Sequence, residues 1–290
     1  MGIEARRYLS LLKAFSACVL LTTLFSASHL SVAAAPESAP APAAQSAPAV
    51  PPAIDLMPLK KALASLNSTQ PVTLHSMVTM TGSVQGLAFT FREKFLITAH
   101  RPEEFYAERT QIDAQGIPQK RLTIVSNGTK VWTYDPGRRK YSVTSVKKFT
   151  AQQNEVSALG LIVGGFYIGD GYPLLQGFQS LTQGNSADVL AALAEGGITI
   201  SRRTETADGQ DDYVYGVTLT QKKMAFQFYV NTQTQVLSRV DLTGTDNSLK
   251  FTFREDIAQI TLQPAITKST FVFTPPPGAF KVPDVSADPF

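Results

Sequence analysis

Glu93 and Glu255 have the strongest claim to chemistry in this chain. Each closes the same five-residue text, Phe89-Thr-Phe-Arg-Glu93 and Phe251-Thr-Phe-Arg-Glu255. A pair of carboxylates brought together can divide the acid and base roles of a proton transfer. Sequence alone gives these two neither a neighbour nor a substrate, so solvated or ion-paired strand residues are the default. The repetition has two explanations. Amphipathic strands draw on few residue types, or both strands face one cavity, with Glu93 and Glu255 near its mouth.

The other chemistry-bearing residues are sparse. Beyond the first 35 residues the only histidines are His75 and His100, on separate strands, and no cysteine remains. That is a poor ligand set, so no metal and no cofactor is expected. No nucleophile elbow, phosphate loop or dinucleotide glycine pattern occurs. The glycines Gly164, Gly165, Gly169 and Gly171 lack the Lys and Ser/Thr that a phosphate loop needs, and read as hinges or loops. Asp208-Gly-Gln-Asp-Asp212 reads as a hairpin turn rather than a calcium loop. Asn127-Gly-Thr129 fits a glycosylation acceptor but reads as a turn in an exported chain of this kind. The residues therefore favour a protein that is not an enzyme.

Export is read from the front end. Arg6, Arg7 and Lys13 precede an apolar run from Ala14 to Leu30, and Ala33, Ala34 and Ala35 follow. This is the pattern of a secretory signal peptide over residues 1–35, with the periplasm as destination. The run is shorter than the ~20 residues of a spanning helix, which makes an uncleaved anchor the weaker reading. Cys18, the single cysteine, sits inside this leader. Phe15-Ser16-Ala17 before it imitates a lipoprotein box poorly, so anchoring through Cys18 is the lesser alternative. Twin-arginine export through Arg6-Arg7 is a lesser alternative to ordinary secretion.

The leader also carries much of the charge. With Arg6, Arg7, Lys13 and Glu4 set aside, the net charge falls from +3 to +1. Nucleic acid is not an expected partner on that balance. Charged residues make up 17% of the chain, low against a typical ~25%, so apolar surface has to be hidden.

The elements follow from periodicity. Residues 36–53, rich in Pro and Ala with one charge, cannot bury a core and read as a disordered linker. Leu59, Leu63 and Leu66 predict a helix from Pro58 to Leu66. Beyond it the period becomes two. From Leu87 to Ile97 one face reads Leu87, Phe89, Phe91, Glu93, Phe95, Ile97 and the other Ala88, Thr90, Arg92, Lys94, Leu96. Similar alternation predicts strands at 72–84, 103–112, 119–126, 129–134, 139–146, 198–206, 212–221, 224–231, 235–244 and 248–262. Residues 151–195 lack it and predict two or three short helices with glycine-rich turns, set between two strand groups. Neither group could cover its own apolar face alone, which argues for one domain over 54–282 and a tail over 283–290. A membrane barrel is a minor option, since Pro289 breaks any terminal strand and no aromatic girdles repeat.

Four short segments carry a family resemblance. They are Asn127-Gly128-Thr-Lys-Val-Trp132-Thr-Tyr134-Asp-Pro136, Ser269-Thr-Phe271-Val-Phe273-Thr-Pro275-Pro-Pro277-Gly278, Arg101-Pro102-Glu-Glu-Phe105-Tyr-Ala-Glu108 and Tyr172-Pro-Leu-Leu175. In order and spacing the chain resembles the LolA superfamily of periplasmic lipoprotein carriers over roughly residues 58–282. Within it the text is most similar to a group of predicted periplasmic proteins of unknown function. The Pro/Ala linker is not a feature of that carrier.

The resemblance implies a mainly β fold with inserted helices, a half-open antiparallel β-barrel wrapped around short helices, with an apolar cavity for acyl chains. Candidate lining residues are then Phe89, Phe91, Phe95, Trp132, Tyr134, Phe226, Phe228, Phe251 and Phe253, with close-packed core as the default for any one of them taken singly. The helical segment becomes a candidate plug hinged at Gly164, Gly165, Gly169 and Gly171. The expected function is binding or carrying a lipid or lipoprotein acyl chain, peripheral to or tethered at a membrane. An envelope sensor that binds a protein partner through the same fold is the alternative, motivated by the tether-like linker.

Overall fold

The structure, a computed structural model, describes residues 54–66, 70–84, 86–100, 103–151, 194–195, 197–207, 209–246 and 249–285. The expected signal peptide, the linker, Cys18, the plug glycines Gly164, Gly165, Gly169 and Gly171, and Tyr172-Pro-Leu-Leu175 lie outside the described residues.

The leucine spacing near the front does produce a helix, α1 (Met57–Leu66). Asp55 opens it, its Oδ1 accepting from the Met57 N–H at 3.0 Å. Pro58 sits in the first turn, where its missing N–H costs nothing. One stripe, Pro58, Leu59, Ala62, Leu63 and Leu66, is buried, and the helix contacts the strands over Met224–Asn231 and Leu237–Asp246.

The alternating segments form β1 (Val72–Val84), β2 (Leu87–His100), β3 (Glu104–Ile112), β4 (Pro118–Asn127), β5 (Lys130–Asp135) and β6 (Lys140–Ser145). After α2 (Val146–Ala151) come β7 (Ile198–Ala207), β8 (Gln210–Leu219), β9 (Met224–Asn231), β10 (Leu237–Asp246) and β11 (Leu249–Leu262). Turn chemistry sets the hairpins. Asn127 Oδ1 accepts from the N–H groups of Thr129 (3.0 Å) and Lys130 (2.9 Å), and Gly128 takes φ +84°. That is the Asn-Gly turn the sequence announces.

With β12 (Phe280–Lys281), the described strands join one sheet in the order β12-β6-β5-β4-β3-β2-β1-β11-β10-β9-β8-β7. β12 runs parallel to β6, which makes the sheet mixed. The expectation of a half-open antiparallel barrel is corrected on this point. The described strands form an open sheet that does not close, with β7 and β12 at its two ends. The two halves meet through β1, which joins β2 on one side and β11 on the other. That pairing is long-range in sequence, so no local pattern reveals it.

The core lies on one face. Leu74, Ile97, Phe105, Phe149, Tyr215, Phe228 and Leu242 are fully buried there, with the buried stripe of α1. Each such side chain contributes about 1.5–3 kcal/mol by leaving water.

Candidate ligand-binding face

The two Phe-Thr-Phe-Arg-Glu segments flank β1 in matching register. Phe89, Phe91 and Glu93 pair with Gly82, Met80 and Val78; on the other side the same three pair with Phe251, Phe253 and Glu255. Directly paired residues share a face of a sheet. Cross-strand rows therefore run Phe89–Gly82–Phe251–Gly244–Met224 and Phe91–Met80–Phe253–Leu242–Phe226. A third runs Glu93–Val78–Glu255–Val240–Phe228–Tyr215. The repetition thus places two equivalent aromatic ladders about one central strand, with both carboxylates in one row.

Seven of the nine lining candidates come together on this inner face. Phe95, Phe226, Phe228, Phe251 and Phe253 are buried, at 0–7% exposure, while Phe89 and Phe91 are half-buried. Phe226 and Phe228 stack with ring centroids 6.1 Å apart, and Phe89 and Phe91 sit 5.7 Å apart. Met80, Met224, Leu242 and Tyr215 complete the face. Sequence reasoning missed Met80, Met224 and Leu242 because aromatic content selected the candidates, and Tyr215 because only the pairing of β8 with β9 places it in the row of Phe228.

Trp132 and Tyr134 do not join it. They pair with Val125 and Thr123, whereas Ile124 and Val131, one step along, belong to the core. Successive strand residues point to opposite faces, so Trp132 and Tyr134 look outward. There they meet the C-terminal segment. Phe273 lies 6.3 Å from Trp132, 5.7 Å from Tyr134 and 5.8 Å from Tyr141, and Phe271 stacks on His100 at 6.4 Å. Two of the segments that carried the family resemblance, 127–136 and 269–278, therefore pack on each other as a clasp. Alternation revealed an aromatic face in β5 without revealing which side of the sheet it covers.

The carboxylates are held structurally. Glu93 forms an ion pair with Arg109. Glu255 is fully buried and accepts from Ser76 Oγ at 2.8 Å. A bulge at His75/Ser76 leaves Ala258 opposite neither residue, and Ser76 lies diagonally across from Glu255. Val78 stands between the two carboxylates, which puts them two strand spacings apart, roughly 10 Å. That separation does not offer a shared proton. His100 Nδ1 lies 3.0 Å from Glu104 Oε2, and His75 is exposed on another strand. Among the described residues no group of three His, Cys, Asp or Glu side chains could hold a metal ion.

Tyrosines secure the edges of the face. Tyr215 Oη donates to the Asp55 carbonyl at 3.0 Å and ties α1 to β8. Burial pushes its pKa up to about 12. Arg202 lies 4.1 Å over the Tyr213 ring and 3.8 Å from Asp55. On the outer face burial and a hydrogen bond to Glu108 push Tyr106 up to about 12.

An open depression of about 530 Å³ lies at the hairpin end of β1, β10 and β11. Thr81, Ser83, Thr243, Thr245, Thr252, Lys223 and Lys250 line it with Phe251 and the backbone of Gly82 and Gly244. Its hydroxyls and Lys250 alternate along the strands with the Phe89–Gly82–Phe251–Gly244 row, the aromatic row nearest the hairpins, and so stand on the other face of the sheet.

With this geometry in place, the comparisons fall as follows. Residues 188–283, from the region of β7 through β12, match a family model described as "Predicted periplasmic protein (DUF2092)". The match agrees with the periplasmic placement read from the leader and with the resemblance to predicted periplasmic proteins. No curated protein matches the chain.

Among solved structures the chain is similar to a LolA superfamily protein from Nitrosomonas europaea, with 14% identity and a TM-score of 0.26, over 74% of this chain and 96% of that one. It is similar to LprF from Mycobacterium bovis, with 12% identity and a TM-score of 0.36, over 72% and 93%. The Pseudomonas aeruginosa MucA/MucB complex gives 11% identity and a TM-score of 0.34, over 75% of this chain and 60% of that one. The chain thus spans less than two thirds of the MucB-complex chain it matches, and likenesses this distant carry no argument about ligand or partner. Among the described residues no helix is long and apolar enough to cross a membrane.

Proposed function

We propose that this is a non-enzymatic periplasmic binding or carrier protein that holds an apolar ligand, a lipid or lipoprotein acyl chain, on the inner face of its sheet. The observation that supports this most is the pair of aromatic ladders about β1. They set Phe89, Phe91, Phe226, Phe251 and Phe253 on one face of an open sheet, beside Phe95 and Phe228, and leave Phe89 and Phe91 half-buried at its rim. An acyl chain laid along such rows gains about 0.8 kcal/mol per buried CH₂, less whatever apolar contact it displaces. The separated carboxylates, each engaged by a neighbouring side chain, support the non-enzymatic part of the reading.

The test is titration with a fluorescent fatty-acid probe, wild type against one variant on each face. Phe91→Ser, at the rim of the inner face, is expected to weaken probe binding about tenfold or more through lost apolar contact. Phe273→Ala, in the outer clasp, is expected to leave probe binding unchanged while the emission of Trp132 moves to the red. Equal loss in both variants, or no saturable binding by the wild type, would count against the reading. The second outcome would favour an envelope sensor with a protein partner.

A further inference from the structure

The hairpin turns β1–β2, β3–β4, β5–β6, β8–β9 and β10–β11 all fall at one end of the sheet, as the pairing of Val84 with both Leu87 and Leu249 and of Ile112 with Pro118 requires. Six large apolar side chains are exposed among the described residues, and three belong to this end. Leu87 follows the β1–β2 turn at 55% exposure, Ile117 ends the β3–β4 turn at 56%, and Phe280 opens β12 at 51%. Exposing a large apolar residue at a turn tip costs solubility and gives nothing to the core.

Cations accompany Leu87 and Phe280. Lys223 and Lys250 are exposed on the walls of the rim depression, in the same set of turns as Leu87. The Phe280 N–H donates to the Arg139 carbonyl at 3.0 Å, Lys140 Nζ lies 5.8 Å from the Phe280 ring, and exposed Lys281 follows. Three acidic side chains on these strands and their turns are engaged. Asp113 accepts from the N–H groups of Gln115 and Ile117 within its own turn, buried Asp135 pairs with Arg138, and Glu108 pairs with Arg121. Asp246 closes β10 at the same end.

Apolar side chains at turn tips with lysines and arginines around them fit the boundary between headgroups and acyl chains. The apolar tips partition below the phosphates while the cations meet them. We propose that this hairpin end is a docking surface for an anionic lipid membrane. In the docked state Leu87, Ile117 and Phe280 enter the headgroup layer, and Lys223, Lys250, Arg139 and Lys281 meet phosphate oxygens. The depression with its hydroxyls and two lysines then opens toward the bilayer. The surface stands apart from the cavity reading, since it can dock whether or not the inner face carries a ligand.

Vesicle flotation tests it. Protein purified from its envelope in one form, wild type and variants alike, is floated with vesicles of phosphatidylcholine alone or with phosphatidylglycerol added. Circular dichroism establishes that each variant is folded. The wild type is expected to float only with anionic vesicles and to release in high salt. Lys223→Ser with Lys250→Ser is expected to weaken binding on the order of 30-fold, as two surface cations should. Ile117→Ser with Phe280→Ser is expected to leave a weak, wholly salt-sensitive residue of binding. Lys147→Ser with Lys148→Ser, on α2 at the opposite end, should change nothing. Flotation that ignores lipid charge, or that the α2 variant abolishes equally, overturns the proposal. So does a wild type that stays off vesicles while its Lys223 and Lys250 bind an acidic protein.

Discussion

Phe228→Ala is expected to lower the free energy of unfolding by about 3–5 kcal/mol, among the largest effects of any single truncation in this chain. Phe228 has 0% exposure, stacks on Phe226, and sits in a row between Val240 and Tyr215, both fully buried. Tyr215 is itself fastened to the start of α1, so the walls around the deleted ring cannot close inward. Urea denaturation gives the value directly. Phe91→Ala, two strand positions along β2 from the rim residue Phe89, is half-buried to begin with and should cost less than about 1.5 kcal/mol. A comparable cost at both sites would mean that the inner face is close-packed from end to end, with no accommodation for a ligand.

Gly82→Ala should cost about 2–3 kcal/mol, as overpacking against backbone does. A Cβ on Gly82 would meet Phe89 Cζ at 2.4 Å and the Lys250 carbonyl oxygen at 2.5 Å. The ring could swing aside, but the carbonyl belongs to a strand fixed by pairing on both sides. Gly244, one ladder over, is the control. Its Cβ would meet the tip of the Phe251 ring at 2.7 Å and Met224 Cγ at 3.3 Å, so its nearest neighbours are side-chain atoms. Gly244→Ala should therefore cost roughly 1 kcal/mol, because side chains yield more readily than backbone. Thermal melts of the two variants make the comparison. An equal penalty would show that ring position, not the carbonyl, decides the fit.

Much of the fold was legible because it is written with period two. Eleven of the strands lie within a few residues of where alternation and turn residues put them, and the helix over 58–66 begins one residue early at Met57. β12 escaped notice because two residues between Gly278 and Pro283 carry no periodicity and rely on β6 for their existence. The openness of the sheet was not legible either. Whether β7 and β12 meet depends on twist and stagger accumulated over twelve strands, which no local segment encodes.

The candidate face was half legible for a related reason. A strand's alternation separates its two faces but leaves unsaid which one the core takes. In β2 and β11 the polar Arg92, Lys94, Arg254 and Asp256 marked the outer side. In β5 both sides carry apolar residues, and Trp132 and Tyr134 look outward because a clasp some 140 residues later covers them. The two Phe-Thr-Phe-Arg-Glu segments show the opposite case. Their likeness was visible at once, but only the pairing of β1 with both strands turns it into one row of carboxylates and two rows of rings.

The most direct test of the proposed function is native mass spectrometry of protein purified from its own envelope without detergent, followed by organic extraction. The account predicts a stoichiometric added mass of lipid size that extraction removes and that returns when the extracted lipid is added back. A bare protein mass that added lipid does not change would contradict it, and would mean that the aromatic ladders are filled by the protein's own side chains.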